Sequence, residues 1–100
     1  MERGIVQVVG VTDPLKVGFR QMAMIGIRCE RTAMADVAAR IAEFPEVDYV
    51  VITAGTYDIL IETVFENNAN LLAFLDQKLR ALDGVRYAAI VLDIGLPHLV

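Results

Sequence analysis

The chain has 100 residues, a formal net charge of −4 and a single cysteine, and these properties exclude several classes of protein. The length corresponds to one domain, and the basic residues are few and scattered, which argues against a nucleic-acid surface on this domain. The lone Cys29 cannot form an internal disulfide, so a reducing, cytoplasmic setting is favoured, and no apolar run reaches the ~20 residues of a membrane span.

The first 21 residues are predicted to form a linker strand and a connecting loop. The stretch GIVQVVGVTDP predicts a strand from Ile5 to Val11, closed by a turn at Asp13 and Pro14. This strand lies outside the regular pattern that follows. It either continues a connector from an upstream segment or pairs with a partner subunit. We expect the folded domain to span residues 22–94 and a short tail to span 95–100.

Two helices are predicted from apolar residues at spacings of three and four. The first spans Arg31 to Phe44, with Thr32 as its N-cap and Pro45 as its stop. The second spans Asn68 to Leu82, and an asparagine among residues 67–70 can cap it. Gly84 can take the left-handed conformation that ends such a helix.

Four strands surround these helices, each rich in Val, Ile, Tyr or Thr. They are predicted at Met22 to Glu30, Val47 to Ala54, Asp58 to Glu66 and Val85 to Ile94. The resulting order is β-α-β-β-α-β, and its second half repeats the apolar pattern of its first. The fold class is therefore α+β, a ferredoxin-like βαββαβ arrangement with an antiparallel sheet and two helices on one face.

The predicted strands are apolar on both faces, although the helices cover only one. The hydrophobic share of the chain is 56%, which is high for a soluble domain, where ~45–50% is usual even with glycine counted. A half-solvated antiparallel strand alternates with polar residues instead. The last strand shows the pattern, with Val85, Tyr87 and Val91 on one face and Ala88, Ile90 and Leu92 on the other. The sequence thus predicts a homodimer that packs sheet against sheet.

The hairpin TAGTYD joins the two predicted halves and is the most polar stretch between two apolar strands. Gly55 and Asp58 are the residue types that a short β-turn needs. They also suit a site where the backbone approaches a charged small molecule. The residues alone leave both interpretations open.

A family resemblance covers nearly the whole chain. The segments FPEV, TAGTYDIL and LDGV, in their spacing here, resemble the C-terminal half of the Lrp/AsnC family of transcriptional regulators. That half is the effector-binding domain named RAM, for regulation of amino-acid metabolism. The resemblance implies sheet-to-sheet dimers that assemble into octamers, an amino-acid effector bound between dimers, and DNA binding by a separate N-terminal helix-turn-helix. We expect this chain to be the sensing and oligomerisation half of a longer regulator.

The resemblance places the ligand loop at Gly55, Thr56, Tyr57 and Asp58, with Thr53 as a further candidate. An amino acid brings a carboxylate that needs N–H donors and an ammonium that needs a carboxylate. The hairpin residues offer both. Family members often carry two hydroxyl residues, spaced by two, on the last strand beside the ligand.

This chain has Ala88 and Ile90 at those positions, which favours an effector with a larger or more apolar side chain, or no effector at all. We expect no cofactor, no metal site and no catalytic residue. Cys29 has no histidine beside it, and the only histidine, His98, lies in the tail. The alternative function is a small dimeric enzyme of the α+β-barrel type, which shares the fold.

Overall fold

A computed structural model of the chain describes residues 5–11 and 21–95. Its five strands are β1 (Ile5–Val11), β2 (Gln21–Cys29), β3 (Val47–Thr53), β4 (Ile59–Phe65) and β5 (Val85–Gly95). A 3-10 turn, Arg31–Ala33, leads into helix α1 (Met34–Ala42). Helix α2 (Asn68–Phe74) continues into a π-helical segment, Leu75–Leu79. The predicted turn at Asp13 and Pro14, the connecting loop and the end of the tail lie outside the described residues.

The five strands form one sheet in the order β1-β3-β4-β2-β5, with every neighbouring pair antiparallel. The ferredoxin-like prediction is confirmed, because the four strands of the βαββαβ unit take this order with the β3–β4 hairpin inside the sheet. The linker strand β1 is confirmed as a strand. It pairs with β3 of its own chain, from Ile5 opposite Thr53 to Val11 opposite Tyr49.

The hydrophobic core lies between the two helices and one face of the sheet. Alternate side chains of strands β2 and β4 point into it, and Ile25, Ile27, Ile59 and Ile61 are completely buried. Helix α1 contributes Val37, Ala38 and Ile41, and the second helix contributes Leu71, Phe74 and Leu79. Burying side chains of this size contributes about 1.5–3 kcal/mol each, so this layer dominates the stability of the domain.

The helix ends confirm one capping prediction and correct another. The side chain of Asn67 accepts a hydrogen bond from the N–H of Asn70 at 2.8 Å, as a helix N-cap does. The predicted cap at Thr32 is wrong, because Thr32 lies within the 3-10 turn. The residue at the N-cap position of that turn is Glu30, and its side chain makes no capping hydrogen bond. The second helix ends at Leu79, earlier than predicted, and Gly84 adopts the expected left-handed conformation at φ +94°.

The opposite face of the sheet, which we call the open face, is not covered by any described element. Its exposed apolar side chains include Val8, Val11, Tyr87 and Leu92, each about half or more exposed. Leu92 was expected on the face of Ala88 and Ile90. A bulge between Ile90 and Leu92 moves it, because Ile90 pairs with Ile25 whereas Leu92 pairs with Met24. The bulge thus brings Leu92 to the open face, where simple alternation does not place it.

Candidate functional site

The candidate site is the connection between β3 and β4, residues 54–58, together with Thr53. The connection bends through five residues instead of forming a tight two-residue turn. Two hydrogen bonds close it. The N–H of Thr53 donates to the carbonyl of Asp58 at 2.9 Å, and the hydroxyl of Thr53 donates to the carbonyl of Tyr57. Thr53 is therefore a residue that shapes the loop from within.

Asp58 fixes the end of the loop to strand β2. Its N–H donates to the carbonyl of Ile27 at 2.9 Å, and its Oδ2 accepts the N–H of Cys29, also at 2.9 Å. One carboxylate oxygen is thus held by the fold, whereas Oδ1 makes no hydrogen bond within residues 5–11 and 21–95. The pKa of the Cys29 thiol is raised by burial and, to a smaller extent, by the negative charges of Asp58 and Glu30. This buried thiol is therefore protonated at neutral pH.

Tyr57 lies flat against strand β2 on the open face of the sheet. A Cβ atom added at Gly26 would stand 2.5 Å from the nearest carbon of the Tyr57 ring, closer than real contacts allow. Only glycine at position 26 therefore permits this position of the ring. Because Gly26 pairs with Leu60 of β4 on one side and Ala89 of β5 on the other, Tyr57 rests over β2, next to the edge strand β5.

Gly55 and Thr56 form the exposed tip of the loop. Gly55 does not have a positive φ, and a Cβ added there would meet no atom within 4 Å. The turn itself therefore does not require glycine at this position, so the interpretation of Gly55 as turn chemistry lacks a steric reason. The N–H groups of Gly55 and Thr56 donate no hydrogen bond to the rest of the described chain. As far as the described residues are concerned, these amides can donate to an external acceptor.

The five predicted residues are brought together, but they have different surroundings. The loop presents two unpaired amides at Gly55 and Thr56, one carboxylate oxygen at Asp58 and the aromatic ring of Tyr57. An acceptor group and a cationic group on one small molecule would find complementary atoms here.

The last strand does not contribute to this loop in the way expected. Ala88 and Ile90 pair with Ile27 and Ile25 and face the helices, and Ala88 is 1% exposed. Both pack within the hydrophobic core. Their apolar character is explained by burial, and the effector type expected from the missing hydroxyl groups stays a prediction.

Sequence reasoning missed Gly26, which positions Tyr57. A glycine between two isoleucines in a strand is the signal that could have found it, since such a glycine often marks a close approach by another group. Neither helix within the described residues is long and apolar enough to cross a bilayer. Those residues also contain no group of three His, Cys, Asp or Glu side chains arranged to hold a metal ion.

Comparison with known proteins gives the family. Residues 22–92 match the model of the Lrp/AsnC ligand binding domain. An uncharacterized HTH-type transcriptional regulator of Pyrococcus horikoshii is 30% identical over 74 residues, which are 74% of this chain and 47% of that protein. The chain spans about half the length of the curated relatives that it matches.

Solved structures agree with that match. AsnC of E. coli superposes with a TM-score of 0.69 at 21% identity over 91% of this chain and 65% of that one, which shows the shared fold. A transcriptional regulator of Neisseria meningitidis, solved as a complex with L-Met, has a TM-score of 0.69 at 26% identity over 86% of this chain and 58% of that one. The chain belongs to the Lrp/AsnC family, and residues 22–92 are its ligand-binding domain.

Proposed function

We propose that this domain senses a small molecule, an amino acid, at the hairpin of residues 53–58, and that binding is coupled to assembly. The observation that carries the proposal is the arrangement of the loop tip. There the N–H groups of Gly55 and Thr56 and the Oδ1 atom of Asp58 make no hydrogen bond to the described residues, and no described atom lies within 4 Å of a Cβ built at Gly55. The complex of the Neisseria relative with L-Met supports an amino acid as the effector class.

Each part of a zwitterionic amino acid has a counterpart in the loop. The amides of Gly55 and Thr56 would donate to the ligand carboxylate, and the absence of a side chain at Gly55 lets the ligand approach the backbone. The free oxygen of Asp58 would accept from the ligand ammonium. The ring of Tyr57 would give an apolar surface for the side chain of the ligand.

Binding at the hairpin would be coupled to subunit assembly because the hairpin reaches the open face, where Tyr57 lies. That face carries exposed Val8, Val11, Tyr87 and Leu92, and apolar patches of this kind mark interfaces. We propose a dimer through this face, further assembly to an octamer, and DNA binding by a helix-turn-helix outside these 100 residues. The effector would shift assembly only if it binds one state more tightly than another.

The relatives are named as transcriptional regulators, which favours a sensing role over the alternative of a small α+β-barrel enzyme. The experiment is a thermal-shift screen of the twenty amino acids. At a concentration of ~100 Kd the effector should stabilise the protein by about 2.7 kcal/mol.

Two variants direct the screen to the loop. Gly55→Val should abolish the stabilisation without loss of folding, because a Cβ there meets no atom of the protein. Asp58→Asn should also abolish it, since the amide oxygen can still accept the N–H of Cys29 but the charge is lost. Asp36→Asn, on the exposed side of α1, is the matched control and should respond like the wild type. A screen without any stabilising amino acid, or a response that persists in both loop variants, would reject the proposal.

A further inference from the structure

A cavity lies on the helix side of the sheet, away from the hairpin. It has a volume of about 300 Å³ and is lined by Glu46, Phe65, Glu66, Asn70, Phe74 and Lys78, among others. Glu46 precedes β3 and Glu66 follows β4, whereas the hairpin joins the other ends of these two strands. The volume is at the lower end of the range for small-molecule sites.

Glu46 is an acceptor in this cavity, and its hydrogen bonds fix its position. Its Oε2 accepts from Nζ of Lys78 at 2.8 Å, and its backbone carbonyl accepts the N–H of Val64 at 3.0 Å, which holds the residue in place. Its other carboxylate oxygen, Oε1, is buried and has no hydrogen-bond partner within the described part of the chain. An unsatisfied buried carboxylate oxygen is costly, so a donor at this point would be stabilising.

Lys78 closes one side of the cavity and is held by more than its ion pair. Its Nζ lies 5.3 Å from the centre of the Phe44 ring and 6.0 Å from that of Phe74, within the range of cation–π attraction. The residue belongs to the π-helical segment, where the N–H of Arg80 donates to the carbonyl of Leu75 at 3.1 Å. Single π-helical turns of this kind occur frequently at functional sites.

The balance of charge indicates what the cavity would bind. Lys78 offsets one of the two lining carboxylates, which leaves one net negative charge from Glu46 and Glu66. Phe65 and Phe74 supply apolar ring surface, with their centroids 5.3 Å apart. A negatively charged cavity with aromatic walls and an unpaired acceptor complements a cation that carries an apolar body.

We infer that this cavity binds a small organic cation, a primary amine or a guanidine, whose N–H donates to the carboxylate of Glu46 while its body packs on Phe65 and Phe74. The terminal torsion of a glutamate is soft, so the carboxylate can turn one oxygen to the cation and keep the other on Lys78. The cation has two sources, a free amine or an Arg or Lys side chain of another copy of the chain. This inference does not depend on the function proposed for the hairpin.

The test is an NMR titration of the full chain, followed through backbone amide signals, with benzylamine, benzyl alcohol and benzoate as probes. Benzylamine should shift the signals of Ala73 and Lys78 with a millimolar Kd, whereas benzyl alcohol should bind at least tenfold more weakly and benzoate not at all. Glu46→Gln should weaken benzylamine at least tenfold, and Glu43→Gln, on the exposed end of α1, should not. Asp58→Asn should leave benzylamine binding unchanged, which separates this site from the hairpin.

Ala73→Leu provides a second variant that fills the cavity without changing its charge, and it should also remove binding. A dilution series without any added probe distinguishes the two sources. If the amide signals of the cavity residues shift on dilution of the wild type but not of Glu46→Gln, the cation is a side chain of another copy. Unchanged signals on dilution would identify a free amine as the source. Equal binding of benzylamine and benzoate, no binding of benzylamine, or unchanged binding in both cavity variants would overturn the inference.

Discussion

Substitution of Gly26 by alanine tests the placement of Tyr57, on which the aromatic wall of the proposed effector site depends. An alanine Cβ would lie 2.5 to 2.6 Å from three carbons of the Tyr57 ring, whereas ordinary contacts begin at 3.4 Å. The ring must therefore move by about 1 Å or leave the sheet. Overpacking of this kind costs about 1–3 kcal/mol.

The opposite effect is expected if Tyr57 does not lie there. Alanine is favoured over glycine in a strand interior by roughly 0.5–1 kcal/mol, because glycine loses more backbone freedom on folding. The sign of the change therefore decides between the two arrangements. We expect Gly26→Ala to lower the unfolding free energy by about 1–2 kcal/mol in a urea titration.

A double-mutant cycle completes the test. In a Tyr57→Ala background the three ring carbons that crowd the added methyl group are absent, so Gly26→Ala should be neutral or stabilising there. The difference between the two backgrounds is the coupling energy, which we expect to be about 1–3 kcal/mol. A Gly26→Ala protein as stable as the wild type, with no coupling to Tyr57, would refute this part of the structure.

Two further predictions concern stability. Asn67→Ala removes the acceptor of the Asn70 N–H and should lower the unfolding free energy, measured in urea, by about 1 kcal/mol. An unchanged urea midpoint would contradict the assigned cap. Because burial first, and then Asp58 and Glu30, raise the pKa of Cys29 above its ordinary value of 9.0, the folded state retains a proton that the unfolded state loses. The unfolding free energy should therefore fall as the pH rises past 9.0, and this part of the fall should be absent in Cys29→Ala. Equal dependence of the unfolding free energy on pH in the wild type and in Cys29→Ala would contradict this role of the thiol.

The order of the elements and the edges of the strands could be predicted from the sequence, because they follow from local patterns. The predicted first helix, from Arg31 to Phe44, is too long, whereas α1 spans Met34–Ala42 after a 3-10 turn. Each predicted strand edge agrees with the structure to within one residue, since β-branched runs bounded by turn residues leave little choice. The end of the second helix could not be predicted in this way. Leu75, Leu79 and Leu82 continue the helical spacing, but a π-helical segment ends the helix at Leu79.

The details of the site depended on contacts between distant residues. The bulge that brings Leu92 to the open face and the close approach of Tyr57 to Gly26 are set by strand pairing, which local periodicity does not encode. The cluster of Thr53, Tyr57 and Asp58 could be predicted, because these residues share one short hairpin. The anchoring of Asp58 to the N–H of Cys29 could not, since that contact joins two strands far apart in the chain.

The central claim is that this domain works as an assembly built on the open face of its sheet. Sedimentation velocity at low micromolar protein tests it most directly. We expect a species of at least two chains of 11.0 kDa each. Leu92→Glu should shift this species toward the single chain, because it places a charge on the open face. A mass of 11.0 kDa for the wild type that does not change with concentration would contradict the account.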